Sequence, residues 1–216
     1  MQDSTANPIP QHSASDPGRV RLIDAAATEF SERGYAGASI SAIAERAGVG
    51  KSTVFHHFHS KDALYLAVIQ EAASEFAQKM ENVLNLDQDL VTCLRAFQSQ
   101  HLEHLHHNSR VARLILRELQ EGDRERLVTL VRDVLAVNFS RLVNYLNDAR
   151  EAGMVRPEVD CAAAALSMMS ANVMYFQNRA MLEHLPGFEL ADDPNAYAMA
   201  VTDLIINGLA PKEQSS

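Results

Sequence analysis

The 216-residue sequence predicts an all-α fold, and three observations carry that expectation. Apolar residues recur at helical spacing through most of the chain. No stretch of useful length alternates apolar and polar residues as a half-buried strand would, and no internal repeat is evident. Low aromatic content (6%), no tryptophan, much alanine and only nine glycines and seven prolines favour helices over sheet. The 47% hydrophobic and 22% charged fractions are those of an ordinary globular protein, long enough for one or two domains.

Residues 1–17 are polar, carry Pro8, Pro10 and Pro17, and lack the positive start and apolar run of a signal peptide. They are expected to form a disordered arm. A first helix is expected from Pro17 or Gly18 to Arg33, with Val20, Ile23, Ala27 and Phe30 on its buried side and Gly34 ending it. Ser39 is placed to cap a second helix, whose apolar face is Ile40, Ile43, Ala44 and Ala47. Gly48 stops it, and a third short helix follows within three residues, with Val54, Phe55 and Phe58 as its buried anchors. Two short helices joined by a tight turn containing Gly make a helix-turn-helix, which offers its second helix to the major groove of DNA. Arg19 and Arg21, at the end of the arm, give that segment an alternative role in the minor groove.

Ser60 and Asp62 start a fourth helix that runs to about Leu84 and serves as a mechanical link into the next domain. Further helices are expected at about 87–107, 109–120, 123–152, 160–183 and 194–209. Their breaks are Asn108-Ser109, Gly122-Asp123, Gly153 with Pro157, and the loop from Pro186-Gly187 to Asp193-Pro194. The apolar run Cys161–Phe176 is short for a membrane span and contains Ser167, Ser170 and Asn172, so no membrane partner is expected. A helix apolar on nearly every side is buried on two sides. Together with the last helix, whose stripe is Tyr197, Val201, Leu204, Ile205 and Gly208, it would form half of a four-helix homodimer interface. The alternative is that both helices serve only the core of one chain.

The net charge of −9 is unevenly spread. Residues 1–61 hold six bases and six acids, leaving 13 bases against 22 acids for the remainder. That split suits a small module making a few phosphate contacts and excludes a surface that coats nucleic acid. Cys93 and Cys161 suggest reduced core thiols of a cytoplasmic protein, a redox sensor being the lesser reading.

The motif can be taken further. Ser39, Ile43-Ala44, Ala47-Gly48-Val49, Phe55, His57-Phe58, Lys61 and Leu64 resemble, at fixed spacing, the signature of the TetR family of bacterial regulators. The resemblance covers residues 19–65, about a fifth of the chain; beyond it only helix number and length correspond. It implies a DNA-binding domain at 18–62, a helical ligand-binding and dimerising domain at 63–210, and a tail at 211–216. Gly50 stands where the family usually has Ser or Thr, Ser52 where Gly is common, and Phe55 where a Tyr usually holds a phosphate. By resemblance, Lys51, Ser52 and Thr53, following Gly50, lie at the base-reading end of the recognition helix. Lys donates to guanine O6 and N7, and a Thr methyl packs on thymine. Ser39, His57 and Lys61 match phosphate-holding positions, and His56 is exposed beside them. For His57 and His59 an ordinary surface role competes, and Lys61 with Asp62 also reads as a charge pair at a helix start.

The family's effector pocket among the central helices implies Phe97, Gln100, His101, Phe139, Met168, Asn172, Tyr175 and Phe176 as ligand-binding candidates, each also readable as plain core. The expected activity is a homodimeric repressor that binds a palindromic double-stranded DNA operator and is released by a small-molecule effector. Activation and metal or redox sensing are the alternatives.

Two other motifs are set aside. Gly48-Val-Gly-Lys-Ser-Thr53 resembles the end of a phosphate-binding loop, but Glu45 stands where that loop needs Gly, and the run follows a helix rather than a strand. His101, His104, His106 and His107 bring two pairs onto common helix faces, but no Cys lies beside them and two histidines do not complete a site. No metal and no cofactor is expected. An enzyme would need a nucleophile–base pair, and none is evident; a helical protein-binding adaptor is the third class.

Overall fold

The computed structural model describes residues 16–84 and 87–209. The expected arm at 1–17, apart from its last two residues, and the tail at 211–216 lie outside the described residues. The chain divides into two compact units, residues 1–65 and 66–216, and the division falls within the fourth helix. No strand occurs among the described residues.

The first unit holds α1 (Pro17–Gly37), α2 (Ile40–Ala47), α3 (Lys51–His57) and the start of α4 (Lys61–Val83). Asp16 caps α1 by accepting from Gly18 N at 2.8 Å, and Pro17 opens the helix, where its missing N–H is not needed. At Gly34 the backbone turns to φ 69°, so the regular helix breaks where glycine was expected to end it, and one further turn reaches Gly37. Leu22, Ala26, Phe30, Ile43, Val54, Leu64 and Tyr65 form the core. Val20, expected on the buried side of α1, is 51% exposed. The buried positions Leu22, Ile23, Ala25, Ala26 and Phe30 set the inner stripe, and Val20 lies off it.

The second unit contains the rest of α4, α5 (Leu90–His107), α6 (Ser109–Glu121), α7 (Arg124–Leu130), α8 (Ala136–Glu151), α9 (Cys161–Leu182) and α10 (Pro194–Leu209). Asp89, Asp123, Asp160 and Asp193 accept first-turn amide N–H bonds of α5, α7, α9 and α10, so part of the acidic excess is spent on helix caps. The single helix expected over 123–152 is interrupted by a π-turn at Val131–Leu135. Leu130, Val134, Asn138 and Leu142 turn inward at four-residue spacing, which drifts by about 40° per step in a regular α-helix. The wider turn absorbs that drift. Asn138 and Arg141 then donate to the Ala73 and Ala77 carbonyls of α4, at 3.0 and 3.1 Å.

Helices α5, α8, α9 and α10 pack around two apolar clusters. One is built on Phe76, Leu94, Phe97, Leu142, Leu146 and Met168; the other holds Leu102, Tyr175, Leu182 and Ala198. A buried polar bridge ties α5 to α9. Gln98 Nε2 donates to the Met168 carbonyl and to Asn172 Oδ1, both at 3.2 Å. Asn172 Nδ2 donates to the Gln98 carbonyl at 2.9 Å and lies 3.2 Å from His101 Nδ1.

Burial, with a smaller contribution from the charge of His104, pushes the His101 imidazole down to about 3. Burial likewise lowers His104 to about 4, helped by Lys79 and His107. An unfolded histidine titrates near 6.5, so below that pH the unfolded chain binds protons that the folded chain does not. Stability is fully present above about pH 6.5 and is lost as pH falls toward the folded values. His101 alone should cost about 2 kcal/mol between pH 7 and pH 5. Urea titrations at the two pH values check this: the wild type should lose at least that much, and His101→Gln should lose about 2 kcal/mol less.

Candidate nucleic-acid interface

The helix-turn-helix is assembled by caps and by one inward stripe. Ser39 Oγ accepts from Ala42 N at 3.1 Å and opens α2. Gly48, at φ 68°, closes it in the left-handed conformation, its N–H reaching the carbonyls of Ala44 and Glu45. An L-residue there would be strained although no heavy atom crowds the position. Gly50 N-caps α3 without any side-chain hydrogen bond; its carbonyl accepts from Thr53 N at 3.0 Å.

Val54 and Phe58, one turn apart, are buried and hold α3 against the unit's core. Lys51, Ser52, Phe55 and His56 are exposed on the opposite side, with Thr53 half-buried at the edge. Phe55 thus corrects the sequence reading. It is 48% exposed and no core anchor, because the i, i+4 pair Val54 and Phe58 already takes the inward stripe and leaves position 55 with 51 and 52 outside. The signal was in the sequence: the family pattern has a polar-tipped aromatic at that position.

The remaining candidates do not join this surface equally. His57 is half-buried, its Nδ1 3.7 Å from Asp16 Oδ2 at the start of α1. Lys61 Nζ sits 4.4 Å from the centre of the Tyr35 ring, and the Tyr35 hydroxyl donates to Asp62 at 2.7 Å. Ser39 is exposed and engaged as a cap. Two further bases of this region, Arg33 and Arg46, form ion pairs inside the unit. Arg46 pairs with Glu29 at 3.3 Å and Glu32 at 2.7 Å, and Arg33 lies 3.1 Å from the same buried Glu29.

The eight ligand candidates of the second unit divide between the two clusters. Phe97 and Met168 belong to the first with Phe139 packed on it; Tyr175 belongs to the second with Phe176 packed on it. His101 and Asn172 sit in the polar bridge, and Gln100 is half-buried outside it. Gln98 takes the buried place, as its four-residue spacing from Leu94 and Leu102 on the inner face of α5 signals. The histidines also diverge. His101 stacks on Phe97, His104 meets Asn108, and His106 lies against Phe176. Among the described residues no group of three or more His, Cys, Asp or Glu is placed to hold a metal ion. No helix among them is long and apolar enough to cross a membrane.

The family model described as "Bacterial regulatory proteins, tetR family" matches residues 22–68, and that described as "Tetracyclin repressor-like, C-terminal domain" matches residues 91–203. The chain belongs to the TetR family. It is similar to the transcriptional activator FasR of Mycolicibacterium smegmatis, 37% identical over 100 residues, which is 46% of each chain, so the match spans about half of that relative. It is 27% identical over 154 residues to the transcriptional regulator UidR of Escherichia coli, covering 68% of this chain and 74% of UidR. The fold matches the transcriptional regulator FadR of Bacillus subtilis, solved in complex with stearoyl-CoA, with a TM-score of 0.75 at 21% identity over 88% of this chain and 98% of that one. Family members are transcriptional regulators that bind DNA through this helix-turn-helix.

The two faces of α3 predict opposite responses to truncation. Val54→Ala should destabilise the chain by about 2 kcal/mol through the cavity it leaves, whereas Phe55→Ala should stay within about 0.5 kcal/mol of wild type. Chemical denaturation of both variants checks this. A Cβ on Gly50 meets only Ser52 Oγ, at 3.5 Å, so Gly50→Ser should supply the absent cap and add a few tenths of a kcal/mol.

Proposed function

We propose that this TetR-family chain is a homodimeric transcriptional repressor in the cytoplasm, binding a palindromic operator and released from it by a small-molecule effector. The observation that carries the reading is the division of α3 into an inner stripe of Val54 and Phe58 and an outer face of Lys51, Ser52, Phe55 and His56. In the proposed complex Lys51, Ser52 and Thr53 face base edges, Lys in particular suiting guanine. Gly50 lets the backbone approach at the start of the helix. Ser39, His56, His57 and Lys61 hold phosphates and set the register.

Homodimerisation is supported by a continuous outward strip on α9. Leu166, Ser170, Met174, Gln177 and Met181 follow helical spacing and are exposed, and Leu204 of α10 is 75% exposed. Tyr197, expected on the same stripe, instead stacks on Tyr175 at 4.4 Å and donates to the Ala171 carbonyl. A second copy pairing through α9 and α10 covers the apolar strip and sets two α3 helices apart for two half-sites.

The effector is proposed to be a fatty acyl thioester, by likeness to FadR with its stearoyl-CoA. The aromatic and methionine-rich central helices suit an apolar chain, with Phe97, Phe139, Met168, Tyr175 and Phe176 as walls and Gln100, His101 and Asn172 as polar neighbours. Release requires the ligand to prefer the spacing of heads that does not fit the operator, with a coupling of roughly 1–3 kcal/mol. Activation is the second reading, favoured by the name of FasR.

Selection from random duplexes tests the proposal. The enriched sites should be palindromes whose half-site centres lie about one helical turn, or a multiple of it, apart. Binding to the selected site should weaken linearly with the logarithm of salt, and Lys61→Ala should make that slope shallower by about one per protomer while weakening all sequences alike. A selected site bound downstream of the transcription start, and silencing it, supports repression; a site upstream that raises transcription supports the second reading.

A further inference from the structure

The second unit holds a cleft of about 480 Å³ that shares Phe176 with the proposed apolar walls and Gln177 with the edge of the outward strip of α9, and whose other lining residues have no role above. His106 at the end of α5, Ser109 and Arg113 at the start of α6, and Phe176, Arg179 and Glu183 on the later half of α9 line it. Its volume falls in the range of small-molecule sites, about 300–1,000 Å³.

The lining carries two arginines, Arg113 and Arg179, against one carboxylate, Glu183, and one phenyl ring, Phe176. Arg179 is already engaged, 3.5 Å from Glu183 and 3.2 Å from Asp192. Arg113 is exposed and makes no ion pair with a described residue. The start of α6 adds positive potential. Its N-cap Asn108 makes no side-chain cap bond, because the Asn108 amide meets His104 Nδ1 at 3.1 Å instead.

His106 is the third element. Its ring packs edge-to-face on Phe176, centroids 5.5 Å apart, and its Nε2 is buried without a hydrogen-bond partner among the described residues. Burial, then the charge of Arg179, holds this imidazole below its ordinary value, so it stands neutral near pH 7 with one nitrogen unsatisfied. Beyond Phe176 lies the cluster of Tyr175, Phe188 and Tyr197. Asn178, where α9 departs from helical geometry (φ −117°, ψ 16°), falls between the lining residues of that helix, its amide donating back to the Met174 carbonyl.

We infer that this cleft receives the anionic, phosphate-bearing head of the effector, with Arg113 holding a phosphate, His106 Nε2 hydrogen-bonding the head and Phe176 packing on it. The inference rests on the acyl thioester reading above and deepens it: the cleft takes the charged end, and the apolar helices take the chain. An unpaired arginine supplies bidentate phosphate recognition, and an unsatisfied imidazole nitrogen gains a partner only when the ligand is present.

Calorimetric titration of the full chain with palmitoyl-CoA, coenzyme A alone and free palmitate tests it. Arg113→Ala should weaken palmitoyl-CoA and coenzyme A at least tenfold, and Arg113→Lys should recover part of that loss. Arg117→Ala, an exposed arginine one turn along α6 outside the cleft, should stay within twofold. All three variants should keep the wild-type helical circular dichroism. If palmitoyl-CoA binds the wild type and Arg113→Ala stays within twofold, or palmitate binds as tightly as palmitoyl-CoA, the head lies elsewhere and the inference is overturned while the effector class stands. If palmitoyl-CoA neither binds nor releases the selected duplex, both fall.

Discussion

The recognition helix cannot exist alone. Seven residues are too few for a stable isolated helix, and α3 lacks even a side-chain cap. What holds it is the burial of Val54 and Phe58 on one side, each worth about 1.5–3 kcal/mol. That constraint fixes the orientation of every other residue on the helix. Lys51, Ser52, Phe55 and His56 are outside because Val54 and Phe58 are inside. The proposed chemistry of the surface therefore follows from the packing beneath it, and the caps at Ser39 and Gly48 serve to bring α3 to its place at a fixed angle.

The same physics explains what could be read from the chain beforehand. Capping residues and glycines are local signals, so the ends of α2, α6, α9 and α10 were legible to within a residue or two, as was the break at Gly34. The inward stripe of α3 was half legible. Val54 and Phe58 follow from i, i+4 spacing, but an aromatic residue beside them invites burial on hydrophobicity alone, and Phe55 is outside because the stripe is one residue wide. The π-turn at Val131–Leu135 was not legible, since it depends on how four-residue spacing is reconciled with the neighbouring helix rather than on any residue that breaks a helix.

In the second unit, side-chain type misled where register informed. Gln98 and Gln100 are the same residue two positions apart, and only the spacing from Leu94 and Leu102 tells which enters the core. The bridge of Gln98, Asn172 and His101 satisfies its amides within the protein, which is the condition for burying polar groups at little cost. His106 is the contrast: a neighbour on the same helix whose Nε2 finds no partner. Charge shows a similar division. Arg33 and Arg46 form ion pairs inside the first unit, and four of the second unit's aspartates cap its helices, so net charge alone says little about the DNA-facing surface.

The central claim is that the outer edge of α3 reads bases while its inner stripe only holds the fold. Repeating the duplex selection with Thr53→Ala tests it most directly. The account predicts that the variant unfolds within about 0.5 kcal/mol of wild type and enriches sites with an altered base at the same position of each half-site. Enrichment of the wild-type sequence, unchanged at every position, would contradict it.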